Sequence, residues 1–255
     1  MKILKVTLML VTLLILHSCG IARVKKVKSD SKPINHDAWD MLLKKHVTEE
    51  GIVDYKGFMG DKNEFDAYLK TLSENHPNDK NWSDLEKFAY WINAYNAFTV
   101  KLILDNYPIA SIKDIKNGIP FVSTVWDIKF IKIENETYCL NNLEHGILRK
   151  QYDNPRIHFA VNCASYSCPR LRAEAYRADR LEEQLEDQAK YFINNPKKNI
   201  ITENEIKLSK LFTWYEGDFK EDGKEVVDFV NKYANNPIKL DAKIDYLDYL
   251  WTLNE

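Results

Sequence analysis

The chain has 255 residues, with 36 Lys and Arg against 38 Asp and Glu and a formal net charge of −2. So even a balance builds no basic stripe for a phosphate backbone, and nucleic acid is not an expected partner. With 45% hydrophobic and 29% charged residues the chain reads as globular rather than disordered.

The N-terminus begins with Lys2 and Lys5 and continues into an apolar run at 7–16, TLMLVTLLIL. Charge, a short apolar stretch and then a cleavage site is the order of a secretion signal. The run is too short to span a bilayer, which needs about 20 residues. Leu16-His17-Ser18-Cys19-Gly20 follows and resembles the lipobox of bacterial lipoproteins. That resemblance implies removal of residues 1–18 and acylation of Cys19, palmitate included. Residues 19–33, basic and without periodicity, are expected to be a lipidated flexible tether. Gly20, where Asp would signal inner-membrane retention, favours the outer membrane, with the protein facing the periplasm. The membrane is thus the one expected partner, through the anchor.

Residues 34–255 suit one domain with a substantial core. Residues 34–47 predict a first helix with Asn35 as its cap. Residues 48–59 read as a loop, and 61–74 as a second helix. Ser83-Asp84-Leu85-Glu86 is a capping box, in which Ser and Glu each satisfy one orphan backbone N–H. It opens the strongest helix, which runs to about Asn106 before Pro108. Leu85, Phe88, Ile92, Tyr95, Thr99, Leu102 and Ile103 recur at helical spacing, flanked by Trp91, Phe98, Ala89 and Val100, so this helix is expected to be buried on most sides. Asn96 projects inside the apolar arc and Asn93 at its edge. A buried amide without partners costs about 1–3 kcal/mol, so Asn96 must meet either backbone or a polar site.

After Pro120 the period switches to two, predicting strands at 121–125 and 128–133 and a return at 138–140. Asn141-Asn142-Leu143-Glu144 has capping-box spacing and predicts a helix to about Gln151. Residues 156–162 (RIHFAVN) read as a buried strand ending at Cys163, followed by the loop CASYSCPRLR. A helix at 181–193, a hairpin at 200–202 and 206–208, helices at 209–219 and 224–234, and an aromatic tail from 238 to 253 complete the chain. The expected fold class is α+β: mostly helical, one domain, with a small antiparallel sheet.

The blocks FAYWINAYNAFTV, LNNLEHGILR, HFAVNCASYSCPRLR, LSKLFTWYEGDF and YLDYLWTLN resemble successive blocks of the domain-of-unknown-function 547 family, across roughly residues 36–254. The resemblance implies a shared fold unit, and the family's name attaches no activity to it.

The chemical candidates come from the residues. Cys163 stands where a strand is expected to meet a loop, and a Cys nucleophile needs a base and an orienting partner for that base. His145, early in its helix, lies where the helix dipole disfavours positive charge. Asn96 could orient its imidazole, as an Asn does in papain-like proteases, although the order of residues departs from that pattern. Strand alternation puts His158 on the opposite face from Cys163. Cys163, His145 and Asn96 are therefore the candidate catalytic set of a thiol-dependent hydrolase or acyl transferase. With Cys19 assigned to lipid, Cys139, Cys163 and Cys168 remain, and an oxidising compartment permits one pair at most. A Cys163–Cys168 disulfide would remove the nucleophile and leave a non-catalytic envelope module binding a peptide, glycan or protein. Metal binding by Cys163, Cys168 and His145, with or without Cys139, lacks a second ligand pair, and an inert buried Cys163 is the remaining alternative. No cofactor is indicated. The block around Trp214–Phe219 reads as a core anchor, with Asp218 placed to cap the helix end or to pair with Arg170 or Arg172. Glu182, Glu183, Glu186 and Asp187 read as a solvated helix face.

Overall fold

Helices α1 (Asp37–His46), α2 (Tyr55–Gly60) and α3 (Lys62–Glu74) lead into the long α4 (Asp84–Leu104) in the computed structural model, which describes residues 27–116, 123–202, 205–220 and 223–255. The expected signal and most of the expected tether lie outside the described residues. Among the described residues no helix is long and apolar enough to cross a membrane. The start of the chain is tied down earlier than the sequence suggests. The Ser31 carbonyl accepts from Asn78 Nδ2 at 2.9 Å, Asn81 Nδ2 at 3.0 Å and Trp82 Nε1 at 3.1 Å.

Helix α1 begins after His36, and Asn35 merely accepts the Asp37 N–H at 3.3 Å from outside. Its apolar face places Trp39 flat on Tyr68 of α3, with ring centroids 5.6 Å apart. The expected loop at 48–59 contains α2, because Asp54 caps it by accepting the Gly57 N–H at 2.8 Å and because Tyr55 and Phe58 are buried. Gly51 turns the chain with φ +83°, and a Cβ there would meet Arg170 Cβ at 2.5 Å.

The Ser83 capping box forms, with Glu86 Oε2 accepting the Ser83 N–H at 2.7 Å. Helix α4 is buried on most sides from Phe88 onward, while Leu85 is exposed. Around α4 gathers the larger apolar cluster; a second one forms around Phe159, Phe192, Phe212, Phe219 and Phe229.

Sheet structure is small, and the fold is α+β and mostly helical. Residues 121–122 of the first expected strand lie outside the described residues, and Val125–Asp127 is a 3-10 turn. β1 (Ile131–Ile133) and β2 (Glu136–Tyr138) pair antiparallel, with Ile131 opposite Tyr138. The expected helix after Asn141 is wound as a π-helix, Asn142–Leu148, continued by a turn at Arg149–Gln151. Its capping box does not form: Asn141, at the N-cap, donates to Asp127 Oδ1 at 2.6 Å and makes no cap bond, and Glu144 points elsewhere.

The expected strand at 156–162 is instead a helical turn, α5 (Ile157–Ala160). Asn154 makes the turn by accepting the Arg156 N–H at 3.1 Å, and Pro155 supplies a φ suited to a helix start. Helix α6 (Leu181–Asn194) follows. Its acidic residues are not simply solvated: Arg156 pairs with Glu182, and Asp187 takes Arg170 and Arg172 from the cysteine loop. β3 (Ile200–Ile201) and β4 (Ile206–Leu208) form the expected hairpin, and β5 (Asp245–Tyr246) adds to β4 in parallel. Short helices α7 (Leu211–Trp214), α8 (Glu216–Phe219) and α9 (Val226–Asn231) replace two longer expected ones. The tail then runs beside the cysteine loop, with Tyr166 N donating to Thr252 O at 2.7 Å.

Candidate functional site

Two buried asparagines of α4 hold the segments that build the site. Asn93 clamps Tyr176, accepting its N–H at 3.0 Å and donating to its carbonyl at 2.8 Å. Asn96 donates to Ala160 O at 2.9 Å and accepts the Asn162 N–H at 2.8 Å. Both ends of the Asn96 amide are therefore committed to backbone. It does not orient His145, and the expected catalytic role for Asn96 gives way to a positioning one. Asn162 passes the constraint on, accepting the Ala164 N–H at 2.8 Å and donating to Pro169 O at 2.7 Å. From the other side Gln188 of α6 donates to Phe159 O at 2.9 Å and Arg170 O at 3.1 Å. The loop 163–170 is thus fixed at both ends.

Within that loop Cys163 and Cys168 are joined by a disulfide. Cys163 is not a free thiol in this structure, and the metal arrangement imagined for these sulfurs falls with it. Among the described residues no group of three or more His, Cys, Asp and Glu is placed to hold a metal ion. Among the described residues Cys139 is free and buried, and burial pushes its thiol pKa up. The Cys168 sulfur accepts the Cys163 N–H at 3.0 Å and the Tyr249 O–H at 3.3 Å. Tyr249 in turn accepts from Ser165 Oγ at 3.2 Å. The Cys163 sulfur lies 3.4 Å from both Ser165 Oγ and Tyr249 Oη.

The disulfide forms part of the wall of a cavity of about 190 Å³. His145 and Cys163 both line it, so the structure brings these two expected residues together. Tyr95, Trp126, Trp214, Tyr215, Tyr249 and Trp251 supply aromatic walls, and Asn141, Glu144 and His158 add polar groups. The aromatic rings also pack on each other: Trp214 lies 4.7 Å from Tyr249 and 5.9 Å from Trp251 between centroids. Trp214 is half exposed, at the outer end of this cluster.

The π-helix sets Glu144 and His145 beside the cavity; such widened turns recur at functional sites. Glu144 is buried and accepts the Tyr215 O–H at 2.7 Å. His145 Nδ1 accepts from Arg149 Nη1 at 3.1 Å, since a guanidinium can only donate, and this leaves the ring proton on Nε2. The same Arg149 grips Asp218 with Nε at 2.6 Å and Nη2 at 2.7 Å. Asp218 therefore pairs with Arg149 rather than with Arg170 or Arg172.

His158, set aside at the sequence level, belongs to this site. The reason is that α5 is a helical turn, so strand alternation does not apply. Its Nε2–H donates to Asp218 Oδ2 at 2.7 Å, and its ring stacks on Tyr215 at 3.8 Å. The side chain is fully buried, and burial holds its pKa below the ordinary histidine value, so the imidazole is neutral. Partial burial raises the Asp218 pKa, but the hydrogen bonds from His158 and Arg149 outweigh it and hold the carboxyl well below the usual range. His158 Nδ1 is buried without a hydrogen-bond partner. The signal that could have found His158 is Asn154-Pro155 just before it, a helix-start pattern.

A family model described as "Protein of unknown function, DUF547" matches residues 80–193. That span holds three of the five sequence blocks, along with His145, Arg149, His158 and both disulfide cysteines. Tyr215, Asp218, Tyr249 and Trp251 lie beyond it. No curated protein and no solved structure matches the chain.

Proposed function

We propose that the protein is a lipid-anchored module of the bacterial cell envelope that binds a peptide, taking one apolar or aromatic side chain into the disulfide-walled cavity. The single observation that carries this reading is the cavity itself, where six Trp and Tyr side chains and a fixed disulfide loop surround a space of about 190 Å³. That volume suits one large side chain better than a whole drug-sized ligand, for which sites run to about 300–1,000 Å³. Asn141, Glu144 and His145 stand among the lining groups to hydrogen-bond the adjoining peptide backbone. The anchor at Cys19 rests on the lipobox resemblance.

The test is a tryptophan-fluorescence titration of the oxidised protein with Ala-Trp-Ala and Ala-Phe-Ala amides. Saturable quenching that weakens at least tenfold in Trp214→Ala supports the reading. A flat titration with both peptides overturns it. For the anchor, labelled palmitate should enter the wild type and not Cys19→Ala.

A second reading is favoured by one observation, that His145 and Cys163 line the same cavity. Once the disulfide is reduced by an external thiol and Cys163 loses its proton to solvent, the thiolate could attack an acyl carbon, with the His145 Nε2–H in the same cavity as a hydrogen-bond donor to the developing charge. A thiol-directed activity probe should then label the reduced wild type and fail on Cys163→Ser and on His145→Ala. Equal labelling of all three would sink this reading.

A further inference from the structure

The two sulfurs of the disulfide are not equivalent. Both line the cavity, but Cys163 is half-buried, whereas Cys168 is only 4% exposed. The Cys163 N–H favours the opposite sulfur. It points at Cys168 Sγ from 3.0 Å, while Tyr249 Oη, which accepts from Ser165 Oγ, lies 3.3 Å from Cys168 Sγ and 3.4 Å from Cys163 Sγ, within reach of either as charge develops. Hydrogen bonds to sulfur are weak while it is neutral and strengthen when it carries negative charge. Burial pushes the Tyr249 pKa up, so its phenol keeps the proton it donates. In thiol–disulfide exchange the rate rises as the departing thiolate is stabilised, and it depends on which sulfur can be reached.

We infer that the Cys163–Cys168 pair is a thiol–disulfide exchange site, at which a peptide dithiol attacks Cys163 and Cys168 departs as a thiolate held by Tyr249 and the Cys163 N–H. The inference rests on the proposed peptide cavity for its substrate class. In the first step a substrate thiolate forms a bond to Cys163 Sγ, the Cys163–Cys168 bond breaks, and the electron pair leaves on Cys168. In the second, the substrate's other thiolate attacks the mixed disulfide and releases Cys163 as a thiolate. The substrate dithiol becomes a disulfide, the protein disulfide becomes a dithiol, and two electrons pass between them. The aromatic wall beside Cys163 would hold the residue next to the attacking cysteine. His145 and His158 line the same cavity without being needed for the balance.

The experiment separates exchange from binding. The oxidised protein is reduced with dithiothreitol, which does not need the aromatic cavity, and the rate is followed by thiol alkylation and mass measurement. Tyr249→Phe keeps the ring and removes the donor. The expected result is a reduction rate about tenfold slower in the variant, from loss of one hydrogen bond to a developing thiolate. Cys168→Ser and Cys163→Ser are then mixed with a short peptide that carries one tryptophan and two cysteines joined as a disulfide, so that the variant's remaining thiolate attacks it and the reverse of the second step is read. A mixed disulfide should be trapped on Cys163 in the first variant and not on Cys168 in the second. Equal rates for wild type and Tyr249→Phe, or trapping through Cys168, would overturn the inference. The rate comparison stands even where a serine variant fails to fold. Peptide binding is measured on oxidised protein with no thiol present, so either result can fail while the other holds.

Discussion

Removing the Asp218 carboxylate tests the polar frame beneath the cavity. Asp218 accepts two bonds from Arg149 and one from His158, at 2.6, 2.7 and 2.7 Å. The two sides of this network are unlike. Arg149 and Asp218 are 28% and 27% exposed, so water takes over much of that pair when it is broken, and its loss costs about 1 kcal/mol. His158 is 0% exposed, so its Nε2–H is left without a partner, at a cost of about 1–3 kcal/mol. Asp218→Ala should therefore destabilise by about 3 kcal/mol. With a urea slope of about 2 kcal/mol/M, the midpoint falls by about 1.5 M at pH 7. The unfolded carboxyl takes up its proton near pH 4 and the folded one only at lower pH. The gap between wild type and variant is thus full above about pH 4 and shrinks as the pH falls further. Asp218→Asn, which keeps an acceptor, should lose about half as much. A shift under about 0.3 M for Asp218→Ala, with an unchanged slope, would refute the assignment of Asp218 as the buried partner of His158.

His36 is buried against Tyr68, whose hydroxyl lies 2.8 Å from its Nδ1, and burial with nearby Arg177 lowers its pKa to about 4. The unfolded chain binds that proton near pH 6.5 and the folded chain near 4, so the contribution is complete above about 6.5 and is lost as pH falls to about 4. Going from pH 7 to 5 should cost about 2 kcal/mol from this group alone. Ring NMR that shows His36 titrating above pH 6 would contradict it. Gly51→Ala forces a side chain into φ +83° and against Arg170, so a loss of about 2–4 kcal/mol is expected in a thermal melt, and a neutral result would mean the turn relaxes freely.

The central helix was legible because its signals are local and agree: the Ser83 box starts it, apolar residues recur every three or four positions, and Pro108 ends it. Asn96 was legible as a residue that must be satisfied, but its partners at 160 and 162 are 64 and 66 residues away. The cysteine loop and His145 were legible as chemistry. His158 was not, because RIHFAVN is rich in strand formers and the turn set by Asn154-Pro155 overrides that preference. Glu144 was assigned to a local capping box, and a distant tyrosine, Tyr215, claims it instead. The pairing of Asp218 with Arg149 joins residues on two separate elements, and no spacing rule connects them. Local motifs thus named the elements, while long-range hydrogen bonds decided which side chains meet at the cavity.

The docking of Ser31 under Asn78, Asn81 and Trp82 sets the length of the leash. With a lipid on Cys19, as proposed, only about ten residues separate the anchor from the first docked contacts at Ser29 and Ser31. Fully extended, they reach about 35 Å. A folded unit of some 220 residues has a radius of gyration of about 17 Å. The domain would therefore patrol a shell about one protein diameter deep along the bilayer. Its substrates would have to come to the membrane surface, or be made there.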